Sequence, residues 1–110
     1  MALKKEIKVT EARILVYLSQ VSNNNKSLDM ISAKLGIDYS YCIRTLKVMV
    51  IKGWVFKHRF QKFMYYDLTG LAPTVAARES LCPVDLQAVL DLTAIKDKEA
   101  NTYERTEGKD

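Results

Sequence analysis

A three-residue break, Gly36-Ile37-Asp38, separates two stretches whose apolar residues recur with helical spacing. Before the break, Ser27 can cap a short helix that ends at Leu35, and the glycine suits the left-handed residue that terminates a helix. After it, the aspartate can cap a longer helix over Tyr39–Lys52, which Gly53 would end in the same way. The sequence therefore predicts two helices joined by a tight turn.

The segments on either side predict one more helix and a β-hairpin. Thr10, followed by the acidic Glu11, is expected to cap an N-terminal helix that ends near Ser22. Aromatic and β-branched residues predict two strands, Trp54–Phe60 and Met64–Leu68. The connection between the strands lacks Asn-Gly or Gly-Gly, so the sequence leaves the hairpin register open.

The C-terminal part of the chain is expected to be helical and then flexible. Apolar periodicity predicts a short helix over Thr74–Leu81 and an amphipathic helix over Val84–Ile95. The charged residues 96–110 predict a flexible tail. A length of 110 residues suits one domain, which we assign to residues 1–95. The expected fold class is mostly α with a small β-hairpin, an α+β arrangement.

The net charge of +4 hides an uneven distribution. Residues 1–63 carry 12 basic and 4 acidic side chains, whereas residues 64–110 carry 5 basic and 9 acidic ones. Six cations, one histidine and no acid lie between Tyr39 and Tyr66. A basic stretch without acids inside a foldable segment indicates an anionic partner.

Several other functions find no support in the sequence. It has no Gly-rich phosphate loop, no Ser/His/Asp set, no metal-ligand spacing and no close carboxylate pair on one predicted face. We therefore expect no enzyme, no metal and no cofactor. No apolar run approaches the roughly 20 residues that span a bilayer, and no secretory signal is apparent, which predicts a cytoplasmic, intracellular protein without membrane contact. Cys42 and Cys82 are expected to be buried and reduced, with a disulfide as the alternative.

The order helix, short helix, turn, helix, hairpin, helix resembles that of the winged helix-turn-helix family over roughly Val9–Leu81. Within it, Ile43–Val55 resembles the recognition helix of MarR-type regulators, which ends on Lys-Gly before an apolar residue enters the wing. Tyr65–Thr69 is similar to the strand that leaves the wing, which often reads Tyr-x-Leu-Thr. The resemblance implies a sequence-specific transcriptional regulator of double-stranded DNA with a C-terminal dimerisation helix.

In such a fold the helix over Tyr39–Lys52 enters the major groove and the hairpin contacts the backbone or minor groove. Arg44 is the best candidate for a bidentate contact with guanine, which discriminates by about 1–3 kcal/mol. Lys26 and the N-terminal Lys4, Lys5 and Lys8 are expected to add phosphate contacts. Lys34 and Lys52 are expected to be solvated residues, with a phosphate contact as the alternative for Lys34. The expected DNA-binding set is Tyr39, Ser40, Tyr41, Arg44, Thr45, Lys47, Lys57, Arg59 and Lys62.

A homodimer is expected, because doubling the site supplies the specificity that a single small domain lacks. The helix over Val84–Ile95 would join the two copies, against the first helix or against its own mate. Two other functions stay open: a winged-helix protein-interaction module, and a non-specific architectural or replication-associated DNA binder. Nothing in the sequence indicates a small-molecule effector. Phe60 and Phe63 are expected to pack on each other or on the domain, with a partner contact as the alternative.

Overall fold

The computed structural model describes residues 7–92, and the fold there is mostly helical with one antiparallel β-hairpin. The predicted α+β class is confirmed at that level. Lys4, Lys5, Ile95 and the tail of residues 96–110 lie outside the described residues. In chain order the elements are α1 (Val9–Gln20), a 3-10 turn (Asn23–Asn25), α2 (Leu28–Leu35), α3 (Tyr39–Ile51), β1 (Val55–Phe60), β2 (Phe63–Leu68), α4 (Thr74–Ser80) and α5 (residues 83–92).

The two central helices, α2 and α3, begin at the predicted caps. Ser27 Oγ accepts a hydrogen bond from Met30 N at 3.2 Å, and Asp38 Oδ2 accepts one from Tyr41 N at 3.3 Å. Each cap satisfies a backbone N–H that the first turn of a helix leaves without an intrahelical partner. The starts of both helices are therefore determined locally by the sequence.

The same two helices end in the same way, each with a left-handed glycine. Gly36 has φ +67° and Gly53 has φ +82°. The N–H of the residue after each glycine donates back to the last turn, to Ser32 O at 2.9 Å and to Met49 O at 3.0 Å. This is the Schellman arrangement. It reverses the chain tightly enough to join α2 to α3 and to start the hairpin directly after α3.

The start of α1 differs from the prediction. The helix begins at Val9 with Lys8 at the cap position, and Glu11 Oε1 accepts a hydrogen bond from Lys8 N at 3.0 Å. Thr10 is therefore not the cap. The predicted cap is wrong because a glutamate three residues into a helix can reach back to the cap N–H without help from a hydroxyl.

The hydrophobic core is centred on α1. All residues from Ile14 to Leu18 are buried, because α2, α3, β2 and α4 all contact this helix. Helix α3 contributes Cys42, Leu46 and Met49 to the core as predicted. Within residues 7–92, no helix has the length and apolar character that crossing a membrane requires.

The hairpin has a defined register that the sequence left open. Val55 pairs with Leu68 and Phe60 with Phe63, which leaves Gln61 and Lys62 as a two-residue turn. Its strand β2 also pairs on its other edge with the segment before α2, since Tyr66 N donates to Lys26 O at 3.0 Å. The sequence did not predict this third partner, because one bridge is too short to leave a pattern.

Candidate nucleic-acid interface

One side of α3 is exposed and carries most of the residues that were expected to contact DNA. Tyr39, Ser40, Tyr41, Arg44 and Lys47 are all exposed. Arg44 Cζ lies 5.7 Å from the centroid of the Tyr41 ring, a distance at which a guanidinium is attracted to an aromatic face. The contact holds the guanidinium along the surface of the helix.

Thr45 does not belong to this exposed side. Its side chain is only 9% exposed and lines a narrow crevice between the start of α1 and α3, beside Lys8 and Arg44. Because α1 packs against α3, more of the α3 surface is buried than its apolar residues alone would indicate. This burial contradicts the predicted DNA contact of Thr45.

The basic residues of the hairpin lie on the same side as α3. Side chains alternate between the two faces of a strand, so Lys57 and Arg59 share a face with the buried Val55, and Lys57 pairs across with the buried Tyr66. Strand β1 contacts α3, which brings this face next to the helix. Both cations are exposed because the hairpin extends beyond the core. Lys62, in the turn, is exposed as well.

Lys52 is not one of the cations that are available to a partner. Its Nζ lies 2.9 and 3.1 Å from the two carboxylate oxygens of the buried Glu11 and 4.4 Å from the centroid of the Trp54 ring. Lys52 is exposed, as expected, but it is not free. Its partner Glu11 lies 41 residues earlier in the chain, so the pair could not be predicted from sequence. Five of the six cations in the basic stretch therefore remain.

Lys26 is also engaged within the protein. Its Nζ donates to Asp67 Oδ1 at 2.8 Å, so the expected phosphate contact would have to compete with this pair. Burial by itself would raise the pKa of Asp67, but the hydrogen bonds from Lys26 Nζ and from Leu68 N lower it below its usual value. Asp67 is therefore ionised at neutral pH and holds Lys26.

The Cys42 and Tyr66 side chains buried behind α3 are neutral at neutral pH. Burial raises the pKa of the Cys42 thiol to about 11. Burial, together with the charges of Cys42 and Tyr39, raises the pKa of Tyr66 as well. The buried Glu11 carboxylate behind α3 is neutralised by Lys52, so it does not offset the cations on the surface.

The two cysteines differ in their environment. Cys42 is buried as predicted, whereas Cys82 is exposed, and both are free thiols. Cys82 lies just before Pro83, where its carbonyl accepts a hydrogen bond from Leu86 N at the start of α5 and its side chain points outward. Among the described residues, no group of three or more His, Cys, Asp or Glu could hold a metal ion.

Phe60 and Phe63 are not packed away as expected. They are 60% and 43% exposed, and the ring of Phe60 contacts the edge of Tyr65 with centroids 6.5 Å apart. The alternation Phe56-Lys57-His58-Arg59-Phe60 is the sequence signal for this arrangement, because it places rings on one face of β1 and cations on the other.

No family model, curated protein or solved structure matches this chain significantly. Its function must therefore be inferred from the charges and geometry of the interface itself.

Proposed function

We propose that this chain is a winged helix-turn-helix regulator of transcription that binds double-stranded DNA sequence-specifically as a homodimer. In this proposal α2 and α3 form the helix-turn-helix, and β1 and β2 form the wing. One observation carries it: five exposed cations lie on α3 and the adjoining hairpin, and none has an acidic partner within residues 7–92. They are Arg44, Lys47, Lys57, Arg59 and Lys62.

The shape of α3 favours duplex DNA over other anionic partners. The helix has 13 residues and is therefore about 20 Å long. Exposed residues recur along one side of the helix from Tyr39 to Lys47, and the residues between them face the core. A helix of this kind fits the major groove, which is about 12 Å wide. Lys57 and Arg59, on the neighbouring face of the hairpin, can then reach the phosphates that border the groove.

Sequence readout is assigned to the first two turns of α3. Arg44 can donate two parallel hydrogen bonds to the O6 and N7 atoms of a guanine. Its contact with Tyr41 limits the freedom of the guanidinium before DNA arrives, so less entropy is lost on binding. Ser40 supplies a hydroxyl that can bind a base edge or a phosphate.

The homodimer is proposed through the segment that contains α4 and α5. Val84 is 76% exposed at the start of α5, and Leu71 and Val75 before it are exposed as well. Val89 of α5 is buried, and Leu86 and Leu90 pack partly against the core of the same chain. Since α4 already contacts α1 within one chain, the favoured partner of this segment is the same segment in the second copy.

Selection of bound sequences from random duplex DNA, at two salt concentrations, tests the proposal. It predicts a two-fold symmetric site with half-sites about 10 base pairs apart. Arg44→Ala should lose preference at one position of each half-site, by about 1–3 kcal/mol. Arg78→Ala, which removes an exposed arginine from α4, is the matched control and should leave the base preference at every position unchanged.

Two results would overturn parts of the proposal. Arg44→Ala that binds every sequence with uniformly weaker affinity would make Arg44 a phosphate contact only. A wild-type chain without salt-dependent DNA binding would instead favour the protein-interaction module. The proposal includes no catalytic role, and it requires the intracellular location that the sequence predicts.

A further inference from the structure

The hairpin has a second face that the proposed duplex contact does not use. The side opposite Lys57 and Arg59 is built from rings, with Asp67 as its one acid among the strand residues. We call this side the aromatic face. Its rings are those of Phe56, His58, Phe60, Phe63 and Tyr65.

The rings of the aromatic face form a connected ribbon. The centroids of His58 and Tyr65 lie 5.6 Å apart with planes 20° from parallel, and those of Phe56 and His58 lie 5.9 Å apart. Phe60 extends the ribbon by its edge contact with Tyr65. Phe56 and Phe60 are 46% and 60% exposed, so both rings are accessible to a partner. Exposed apolar surface that is contiguous and bordered by polar groups is typical of a binding site.

A cleft of about 280 Å³ opens beside the ribbon. The rings of His58, Phe60 and Tyr65 form one wall, and Asn23 and Asn24 form part of the rim. This volume lies just below that of typical ligand sites, which hold roughly 300–1,000 Å³, and is suited to a single planar heterocycle. The side-chain amides of the rim offer the donors and acceptors that the edge of such a ring requires.

The rim of the cleft is held in place by the core. Tyr17 OH donates to Asn25 O at 2.9 Å, and Asn25 Nδ2 donates to Ser22 Oγ at 3.0 Å. These bonds fix the 3-10 turn that carries Asn23 and Asn24. The rim is therefore in position before a ligand binds, which lowers the entropic cost of binding.

The charges around the aromatic face favour an anionic partner. Within residues 7–92, Asp67 is the only acid lining the cleft, and Lys26 neutralises it. Lys62, in the turn between Phe60 and Phe63, is an exposed cation at the end of the ribbon of rings. A partner that combines phosphates with flat apolar rings satisfies both the charge and the stacking surface.

We propose that the aromatic face binds the unpaired bases of single-stranded DNA, which stack on the exposed rings and place one base in the cleft. The choice of DNA rests on the proposed function, since a duplex held by the opposite face would bring an opened strand within reach. The binding itself does not depend on that function, because the rings on which the bases stack take no part in the proposed duplex contact.

Fluorescence anisotropy with the full chain tests this site. The probes are an oligonucleotide of about 12 thymidines and an abasic strand of the same length and charge. The thymidine strand should bind at least about ten-fold more tightly, because stacking on aromatic side chains contributes that much per base. Phe60→Ala should remove about ten-fold of the thymidine affinity and leave the abasic affinity unchanged.

Three further measurements separate stacking from simpler explanations. Phe60→Leu keeps an apolar side chain without a ring and should lose affinity as Phe60→Ala does. Ile51→Ala removes an exposed apolar side chain from the end of α3 and should have no effect. On duplex DNA the pattern should reverse, with Arg44→Ala weakening binding and Phe60→Ala leaving it unchanged, so failure of one site is distinguishable from failure of the other.

Several results would overturn the inference. Equal affinity for the thymidine and abasic strands would show that the bases are not bound. Full affinity in Phe60→Leu would reduce the face to a general apolar contact. Tighter binding of a uridine RNA strand than of the thymidine strand, by about ten-fold or more, would overturn the assignment to DNA.

Discussion

Lys52 Nζ, at the end of α3, lies 2.9 and 3.1 Å from the two carboxylate oxygens of Glu11 in the first turn of α1. The carboxylate is almost fully buried, whereas the lysine side chain keeps about a third of its exposure. The pair joins the two helices at the rear of the proposed reading surface. It also removes one cation from that surface, so Lys52 holds α3 against α1 and is not available to bind an anion.

Lys52→Met should destabilise the fold by about 1–3 kcal/mol, because the buried Glu11 carboxylate loses its charged donor. The partial exposure of the lysine lets water replace some of the lost interaction, which keeps the cost below that of a fully buried pair. Urea unfolding should show a lower midpoint with an unchanged slope. Lys47→Met, an exposed lysine on the same helix, is the control and should shift stability by less than about 0.5 kcal/mol.

Gln61→Gly should stabilise the hairpin by about 0.5–1 kcal/mol. Gln61 has φ +59° at the first position of the two-residue turn, where a side chain is strained and glycine is not. The gain is partly offset by the greater freedom of glycine in the unfolded chain. Thermal unfolding measures the change. Lys62→Gly, next to it without a positive φ, should destabilise, and equal effects of the two variants would argue against the strain.

Local signals in the sequence were sufficient to predict where the central helices of the fold begin and end. Ser27, Gly36, Asp38 and Gly53 each act on backbone groups within five residues, so the limits of α2 and α3 followed from single residues and their neighbours. Rings and cations alternate along β1, which places them on opposite faces of the strand because neighbouring side chains point to opposite sides. Local chemistry of this kind can be predicted without knowledge of the tertiary contacts.

What the sequence missed in the candidate site depended on distant contacts. Thr45 is buried by α1, and Lys52 is paired with a residue 41 positions away. The cleft beside Tyr65 exists because the segment at Lys26 pairs with β2. None of these contacts leaves a periodic pattern in the sequence. They decide which side chains of the basic stretch are free, and for that reason the candidate site was predicted less well than the fold.

The two cysteines should react at different rates. At about pH 8, the exposed Cys82 should react quickly with a disulfide reagent such as DTNB. Cys42 should react only after unfolding, since its raised pKa leaves almost no thiolate and its side chain is inaccessible. One fast thiol per native chain and two in denaturant are expected. Cys82→Ser should abolish the fast phase, and two fast thiols in the native chain would contradict the burial of Cys42.

Val84→Asp should weaken the proposed dimer. Val84 is largely exposed in the single chain, so a charge there costs little in folding but cannot be buried in an apolar interface without a partner. Light scattering coupled to size exclusion should show the wild type at twice the chain mass and the variant moving toward a monomer. Val48→Asp, on the exposed side of α3, should remain dimeric. A wild type that is monomeric at all concentrations would refute the dimer.

The most direct test of the central claim is the salt dependence of duplex binding, measured on the selected site between about 50 and 200 mM KCl. Four lysine and arginine contacts to phosphate predict a log–log slope of about 3 to 4 per protomer. Lys47→Met should reduce the slope by about 0.9, whereas Lys52→Met should leave it unchanged because Glu11 already holds that lysine. A slope near zero, or an equal loss in the two variants, would contradict the proposed interface.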